Sequence, residues 1–149
     1  MSQVDRKFFV PIAKNAYKDV AQVIGYGATI SAPHMHSYCL SLLADHTKPG
    51  ASVLDIGSGS GYLTAVFGLM VGETGRTVGV ERIPELVKRS IDAIKQTPAG
   101  HLMDKGRIVV HGKQHTIQCS HPNICISPHI AVIFFNYNSQ LEPDSGSHD

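Results

Sequence analysis

The stretch VLDIGSGSGYLTAVFGLM (residues 53–70) decides the fold, because it joins two apolar runs through three closely spaced glycines. Residues 52–56 have the composition of a buried strand. The second run predicts a helix with one apolar stripe at i, i+3, i+4 and i+7, formed by Leu63, Val66, Phe67 and Met70. A strand that ends in a tight glycine turn and leads into a helix brings backbone N–H groups and the positive end of the helix dipole to a ligand. The stretch therefore predicts a ligand-binding turn.

The spacing of the glycines separates the candidate ligands. A nicotinamide or flavin fingerprint, G-x-G-x-x-G, needs a glycine or alanine at position 62, where this chain has Tyr62. That residue disfavours a nicotinamide-dependent enzyme, and a P-loop is excluded because no Gly-Lys-Ser/Thr follows. The spelling D-x-G-x-G-x-G, from Asp55 to Gly61, instead resembles the first motif of class I S-adenosylmethionine-dependent methyltransferases.

The flanking sequence continues the strand and helix alternation. Residues 77–81 and 107–110 are expected to be the second and third strands, with a helix between them that opens at Pro84. The apolar stripe of this helix is Val87, Ile91 and Ile94. Glu81 ends the second strand about 20 positions beyond the turn, where an acidic side chain would accept hydrogen bonds from ribose hydroxyls. This order predicts right-handed crossovers and a parallel sheet. The resemblance to class I methyltransferases implies an α/β, Rossmann-like fold with a doubly wound, mostly parallel sheet that is incomplete on its C-terminal side.

Upstream of the turn, residues 24–33 contain two glycines and a proline and are expected to form an ordered loop. Residues 34–46 then predict a helix. Its helically spaced apolar residues are Met35, Cys39, Leu42 and Leu43.

Composition bounds the class of protein. The 149 residues suit about one domain, and a net charge of +1 with 17% charged residues predicts no nucleic-acid or membrane partner. The first ten residues carry charges and do not resemble a signal peptide. Three cysteines are sparse and odd in number, which favours a reducing compartment over a disulfide scaffold. We therefore expect a soluble cytosolic protein.

The run IGYGATISAPHMHSYCLSLL (residues 24–43) is more distinctive than the glycine turn. It closely resembles the signature of the protein-L-isoaspartate O-methyltransferase family. The segments VDRKFFVP, PGASVLDIGSGSGYLTA, MVG and IPELVKRS match that family in the same order. The likeness extends without a gap from about Val4 to about His111, and on it the chain is identified as a member of the family.

The resemblance implies methyl transfer from S-adenosylmethionine to the free carboxylate of L-isoaspartyl residues in damaged proteins. Ser31 matches the family's active-site serine. A carboxylate is already ionised at neutral pH, so the reaction needs alignment more than a general base. The motif and the resemblance together give as cofactor-binding residues Ala28, Thr29, Ile30, Ser31, His36, Asp55, Gly57, Ser58, Gly59, Gly61 and Glu81.

After His111 the sequence leaves the family pattern, and the later motifs of the family are missing. We expect residues 1–111 to be the N-terminal part of the methyltransferase domain and residues 112–149 to be a divergent segment with a disordered end. This is the pattern of a truncated or alternative-transcript form, so the sequence predicts impaired activity. The alternative is a non-catalytic isoform that acts as a cofactor-binding or protein-interaction module.

Two features of the divergent segment bear on its structure. Residues 131–135 (AVIFF) are an isolated β-like run that would suit a vacant position in the sheet, although their flanks do not indicate it. If the edge of the first strand of the sheet stays uncovered, it predicts self-association. Zinc-ligand residue types also cluster here, but their spacing matches no standard finger, and no metal site is predicted. They are His115, Cys119, His121, Cys125 and His129.

Overall fold

The structure is a computed structural model that describes residues 1–112 and 130–134. The strands are β1 (Gln22–Gly25), β2 (Ala28–Ile30), β3 (Ser52–Ile56), β4 (Arg76–Glu81), β5 (Ile108–Gly112) and β6 (Ile130–Phe134). The helices are α1 (Pro33–Leu43), α2 (Tyr62–Val71), α3 (Pro84–Lys95) and α4 (Gly100–Asp104), with short 3-10 turns at Arg6–Phe9 and Ala13–Asn15. The predicted disordered end and the histidine and cysteine cluster lie outside the described residues.

Four parallel strands form the main sheet in the order β5-β4-β3-β6. The three strands predicted upstream of residue 112 are all present. β3 has the predicted bounds, and those of β4 and β5 differ from the prediction by at most two residues. β6 pairs with β3 along its whole length, from Ser52 opposite Ile130 to Ile56 opposite Phe134. The β-like run therefore fills the vacant position. β3 is paired along both of its edges, with β4 and with β6. The prediction of self-association assumed an uncovered β3 edge, and this assumption does not hold.

Burial in the two central strands alternates. Val53 and Asp55 in β3 are buried, whereas Leu54 and Ile56 between them are only half-buried. β4 repeats this pattern. One face of the sheet is therefore tightly covered by helices. The other face is covered only partly by the described residues.

The sequence predicted one apolar stripe on helix α2. In the structure this helix is instead buried on nearly every side. Its buried residues are Tyr62, Leu63, Thr64, Ala65, Val66, Phe67, Gly68 and Val71. The helix contributes to two apolar clusters, one shared with α3 and β5 and the other shared with β3 and the half-buried Leu40 and Leu43 of α1. Contacts on several sides leave no solvent-facing stripe, and this is why a single-face pattern was misleading.

Residues 24–33 are not a loop throughout. Residues 22–30 form an antiparallel hairpin in which β1 pairs with β2, and Tyr26 and Gly27 make the turn. Strands of three and four residues are too short to show alternation, so only the turn signal was visible. α1 follows, and His36 is its one buried residue. The short helix α4, just after Pro98, was not predicted. No helix in the described ranges is long and apolar enough to cross a membrane.

Candidate functional site

A cavity of about 640 Å³ lies at the carboxyl ends of β3 and β4, facing the β1–β2 hairpin. Ligands of open α/β sheets bind at this edge. Ten of the eleven predicted site residues line it: Ala28, Thr29, Ile30, Ser31, His36, Asp55, Gly57, Ser58, Gly59 and Glu81. The structure thus brings residues from the two distant sequence motifs to one place.

Glu81 is the anchor of the glycine turn. Its Oε2 accepts a hydrogen bond from Gly59 N–H at 2.9 Å, and its Oε1 accepts from Arg82 N–H at 2.6 Å and Ile83 N–H at 3.0 Å. An ionised carboxylate offers about four acceptor positions, so roughly one remains for a ligand hydroxyl in the cavity. The side chain is buried, which makes each of these bonds costly to lose.

Gly61 does not line the cavity. It precedes α2 with φ +81°, and a Cβ on it would lie 2.7 Å from Ser90 Cβ and 3.3 Å from Ile94 Cδ1 in α3. The third glycine of the motif therefore permits close packing of two helices. Gly61 is the one predicted cofactor-binding residue that does not line the cavity, and its role toward the cofactor stays a prediction.

Asp55 lies at the cavity wall with only 1% of its surface exposed. Its Oδ2 accepts a hydrogen bond from Thr64 Oγ1 at 2.5 Å. Burial raises the pKa of the Asp55 carboxyl to about 6, the Thr64 hydrogen bond opposes this rise, and the charge of Glu81 adds to it. Asp55 Oδ1 and Ser58 Oγ are buried with no hydrogen-bond partner among the described residues. Unpaired acceptors beside an open glycine turn fit a ligand that carries hydroxyl and ammonium donors, as S-adenosylmethionine does.

Ser31 and His36 form the opposite wall of the cavity. Both contact Arg6, which was not among the predicted site residues. The Arg6 guanidinium donates to Ser31 O at 2.7 Å and lies 3.1 Å from His36 Nδ1. The His36 ring stacks on Tyr62 with centroids 4.8 Å apart. Burial, with a smaller contribution from the Arg6 charge, lowers the pKa of His36 to about 4. The sequence did not place Arg6 or Tyr62 in this wall, because their contacts join segments far apart in the chain.

No group of three or more histidine, cysteine, aspartate or glutamate side chains comes together in residues 1–112 and 130–134 to hold a metal ion. The one cysteine among them, Cys39, is a half-buried free thiol.

Known proteins resemble this chain over the segment that builds the cavity. A family model described as Protein-L-isoaspartate(D-aspartate) O-methyltransferase matches residues 1–114. Protein-L-isoaspartate O-methyltransferase 1 of Arabidopsis thaliana is 53% identical over 111 residues, covering 74% of this chain and 48% of the relative. The protein of the same family name from Triticum aestivum is 52% identical over 111 residues, with the same two coverages. The chain thus spans about half the length of these relatives.

Solved structures agree on the fold. A putative protein-L-isoaspartate O-methyltransferase from Plasmodium falciparum, in complex with S-adenosyl-L-homocysteine, superposes with a TM-score of 0.68 at 34% identity, covering 74% of this chain and 51% of that one. A second protein-L-isoaspartate O-methyltransferase superposes with a TM-score of 0.56 at 21% identity and supports the fold alone. The predicted Rossmann-like methyltransferase fold is confirmed, and nothing in these comparisons favours the non-catalytic alternative. The chain belongs to the protein-L-isoaspartate(D-aspartate) O-methyltransferase family.

Proposed function

We propose that the chain binds S-adenosylmethionine in the 640 Å³ cavity and transfers a methyl group to the free carboxylate of L-isoaspartyl residues in damaged proteins. The observation that supports this best is the shared wall of that cavity. Ser31, which matches the family's active-site serine, faces the same space as the glycine turn and Glu81. A relative solved with S-adenosyl-L-homocysteine and the family match over residues 1–114 add support.

In this proposal the two walls have different tasks. Glu81 accepts a hydrogen bond from a ribose hydroxyl, and Gly57 and Gly59 let the main chain approach the cofactor closely. Asp55 Oδ1 and Ser58 Oγ, both without a partner in the described residues, would accept hydrogen bonds from donor groups of the cofactor. The bound cofactor supplies a sulfonium methyl group that a carboxylate can attack.

The Ser31 hydroxyl and the His36 ring orient the substrate. A substrate carboxylate is ionised at neutral pH and needs no general base. Fixing it within reach of the methyl group supplies the catalytic effect through alignment. Because the pKa of His36 lies near 4, the ring is neutral at pH 7 and offers one N–H to the carboxylate.

Partners and location belong to the same proposal. Isoaspartyl-containing proteins and peptides are the substrates, and the sparse cysteines favour the cytosol. We retain residues 1–111 as the methyltransferase part of the chain and residues 112–149 as a distinct segment.

A methyl-transfer assay with radiolabelled S-adenosylmethionine tests the function. The purified 149-residue chain is offered an isoaspartyl peptide and, as a matched control, the same peptide with normal aspartate. We expect base-labile methyl ester only on the isoaspartyl peptide. Calorimetric binding of S-adenosylhomocysteine without any ester would favour the non-catalytic alternative, and absence of binding would reject the cofactor site.

Within that assay, Ser31→Ala should lower turnover about fivefold or more, because loss of a transition-state hydrogen bond costs about 1 kcal/mol or more and about 1.36 kcal/mol is tenfold in rate. Affinity for S-adenosylhomocysteine should change little. Ser37→Ala, an exposed position on α1, is the matched control and should keep the parent rate. Equal rates for Ser31→Ala and the parent would contradict the assigned role.

A further inference from the structure

Arg6 is a buried cation without a carboxylate beside it. Its side chain is 4% exposed, and no Asp or Glu oxygen in the described residues lies within ion-pair distance of its guanidinium. Its neighbours are Ser31 O, His36 Nδ1 and the face of the Tyr62 ring, whose centroid is 5.6 Å from Arg6 Cζ. Buried charges are normally paired, so this one favours an anion in the adjoining cavity.

The contact between Arg6 and His36 determines where the imidazole proton lies. A guanidinium can only donate hydrogen bonds and does not deprotonate in proteins. His36 Nδ1, 3.1 Å from Arg6 Nη1, must therefore be the acceptor. A neutral imidazole with an accepting Nδ1 carries its hydrogen on Nε2, and an imidazolium would place two donors against each other. His36 also lines the cavity, and no hydrogen bond joins its Nε2 to the described residues.

We propose that Arg6 is a positioning residue of this site, which holds His36 in the neutral Nε2–H form and ties the Ser31 main chain to it. The cavity then offers two donors, His36 Nε2–H and the Ser31 hydroxyl, next to a buried positive charge. That set recognises a carboxylate. Only the identification of this carboxylate as that of an isoaspartyl residue rests on the proposed function.

The other charged groups near the pair do not reverse this assignment. Tyr62, from α2, contacts the ring as a neutral phenol whose pKa is raised by burial. Asp5 acts electrostatically on Tyr62, and Asp19 acts on Arg6. Asp5 is engaged by Lys7 and the Tyr17 hydroxyl, and Asp19 by His34. Arg6 is thus the charge in direct contact with His36.

Long-range ¹H–¹⁵N NMR on the uniformly labelled 149-residue chain tests the assignment, with His36 identified by the signals lost in His36→Asn. In the parent we expect an Nε2–H, neutral His36 from about pH 8 down to about pH 5. Arg6→Met keeps length and packing but removes charge and donor, so the pKa of His36 should rise measurably, by up to about one unit, while burial keeps it below the ordinary value. Arg6→Lys keeps the charge and a donor, so His36 in this variant should titrate close to His36 in the parent.

Each outcome decides the inference. An Nδ1–H tautomer or an imidazolium in the parent at pH 7 would overturn it, and so would an Arg6→Met variant whose His36 titrates like the parent. If Arg6→Met does not fold, the parent tautomer and the Arg6→Lys titration still decide. Because the measurement needs neither cofactor nor turnover, a chain with the expected tautomer and no methyl transfer would support this inference and reject the proposed function.

Discussion

Among single residues, Glu81 links the local structure of the turn to ligand binding, because one carboxylate accepts three backbone N–H groups from two segments. Hydrogen bonds to a charged acceptor contribute roughly 1.5–3 kcal/mol each. Removing this side chain therefore acts on the turn and on the ligand together.

Glu81→Ala should weaken S-adenosylhomocysteine binding at least about tenfold by calorimetry and also lower stability. Glu81→Gln should lose comparable affinity but less stability, because its carbonyl oxygen can still accept from Arg82 and Ile83 while its NH₂ opposes Gly59 N–H. Glu85→Ala, in the exposed first turn of α3, is the control. Parent-like affinity in both Glu81 variants would exclude this carboxylate from the ligand site.

The stability of the chain should depend on pH through Asp55. Its pKa in the folded chain, about 6, lies above the ordinary 3.8, so between these values the folded state retains a proton that the unfolded state releases. Stability therefore falls as pH rises through this window, by roughly 3 kcal/mol at 1.36 kcal/mol per pKa unit. Measured by urea unfolding, the free energy of unfolding of Asp55→Asn should increase relative to that of the parent as the pH rises from 4 to 7.

His36 has the opposite sign and provides an internal check. Its pKa of about 4 in the folded chain lies below the ordinary 6.5, so its contribution is lost as pH falls through that range. Because His36 is present in both the parent and Asp55→Asn, its effect cancels in the difference between them. A difference that does not vary with pH would show that Asp55 titrates normally.

The sequence identified the residues around the cavity because they lie in contiguous motifs. It did not identify Arg6, which acts on a residue 30 positions away, because such a contact leaves no local pattern. It also did not reveal the packing role of Gly61, since a glycine required by a neighbouring helix looks the same in sequence as one required by a ligand.

Among elements, the packing of α2 against α3 depends on Gly61. Gly61→Ala should destabilise the chain through both its left-handed φ of +81° and the approach of the new Cβ to Ser90. Gly106→Ala is the matched control, with φ +68° and nothing within 4 Å of its Cβ position. In urea unfolding, we expect the control to lose about 1–2 kcal/mol of the free energy of unfolding and Gly61→Ala to lose a further 1–3 kcal/mol. Equal losses of stability in the two variants would mean that α2 and α3 can move apart to make room for the new Cβ without an energetic cost.

Periodicity predicted the elements well where they are long and one-sided. α3 has its predicted apolar stripe, with Ile94 buried and Val87 and Ile91 packed against the core. The β1–β2 hairpin was missed because neither strand is long enough to alternate. α2 was predicted as a helix but with the wrong exposure, because its neighbours lie in several elements, α1, α3, β3 and β5.

At the scale of the whole molecule, the sheet depends on the β3–β6 pairing. Successive N–H groups of a strand point to opposite edges, so either Ala131 or Val132 directs its N–H towards β3. Proline removes that donor and is tolerated at an outer edge. One of Ala131→Pro and Val132→Pro should therefore lower stability by about 1–3 kcal/mol, the cost of an unsatisfied ladder partner, and promote association, while the other has a smaller effect. Thermal unfolding measures the stability of each variant and light scattering measures its association. Identical behaviour of the two variants would contradict the β3–β6 pairing.

The strand order also has a kinetic consequence. The β3–β4 pair joins residues about 24 positions apart, whereas the β3–β6 pair joins residues about 78 apart. Closing the longer loop costs roughly 1 kcal/mol more chain entropy, and contacts between distant segments form later in folding. The glycine turn and Glu81 lie on β3 and β4 and emerge from the ribosome before β6. We therefore expect the cofactor wall to take shape first and the fourth strand to be added last, so ligand present during refolding should speed recovery of the native chain.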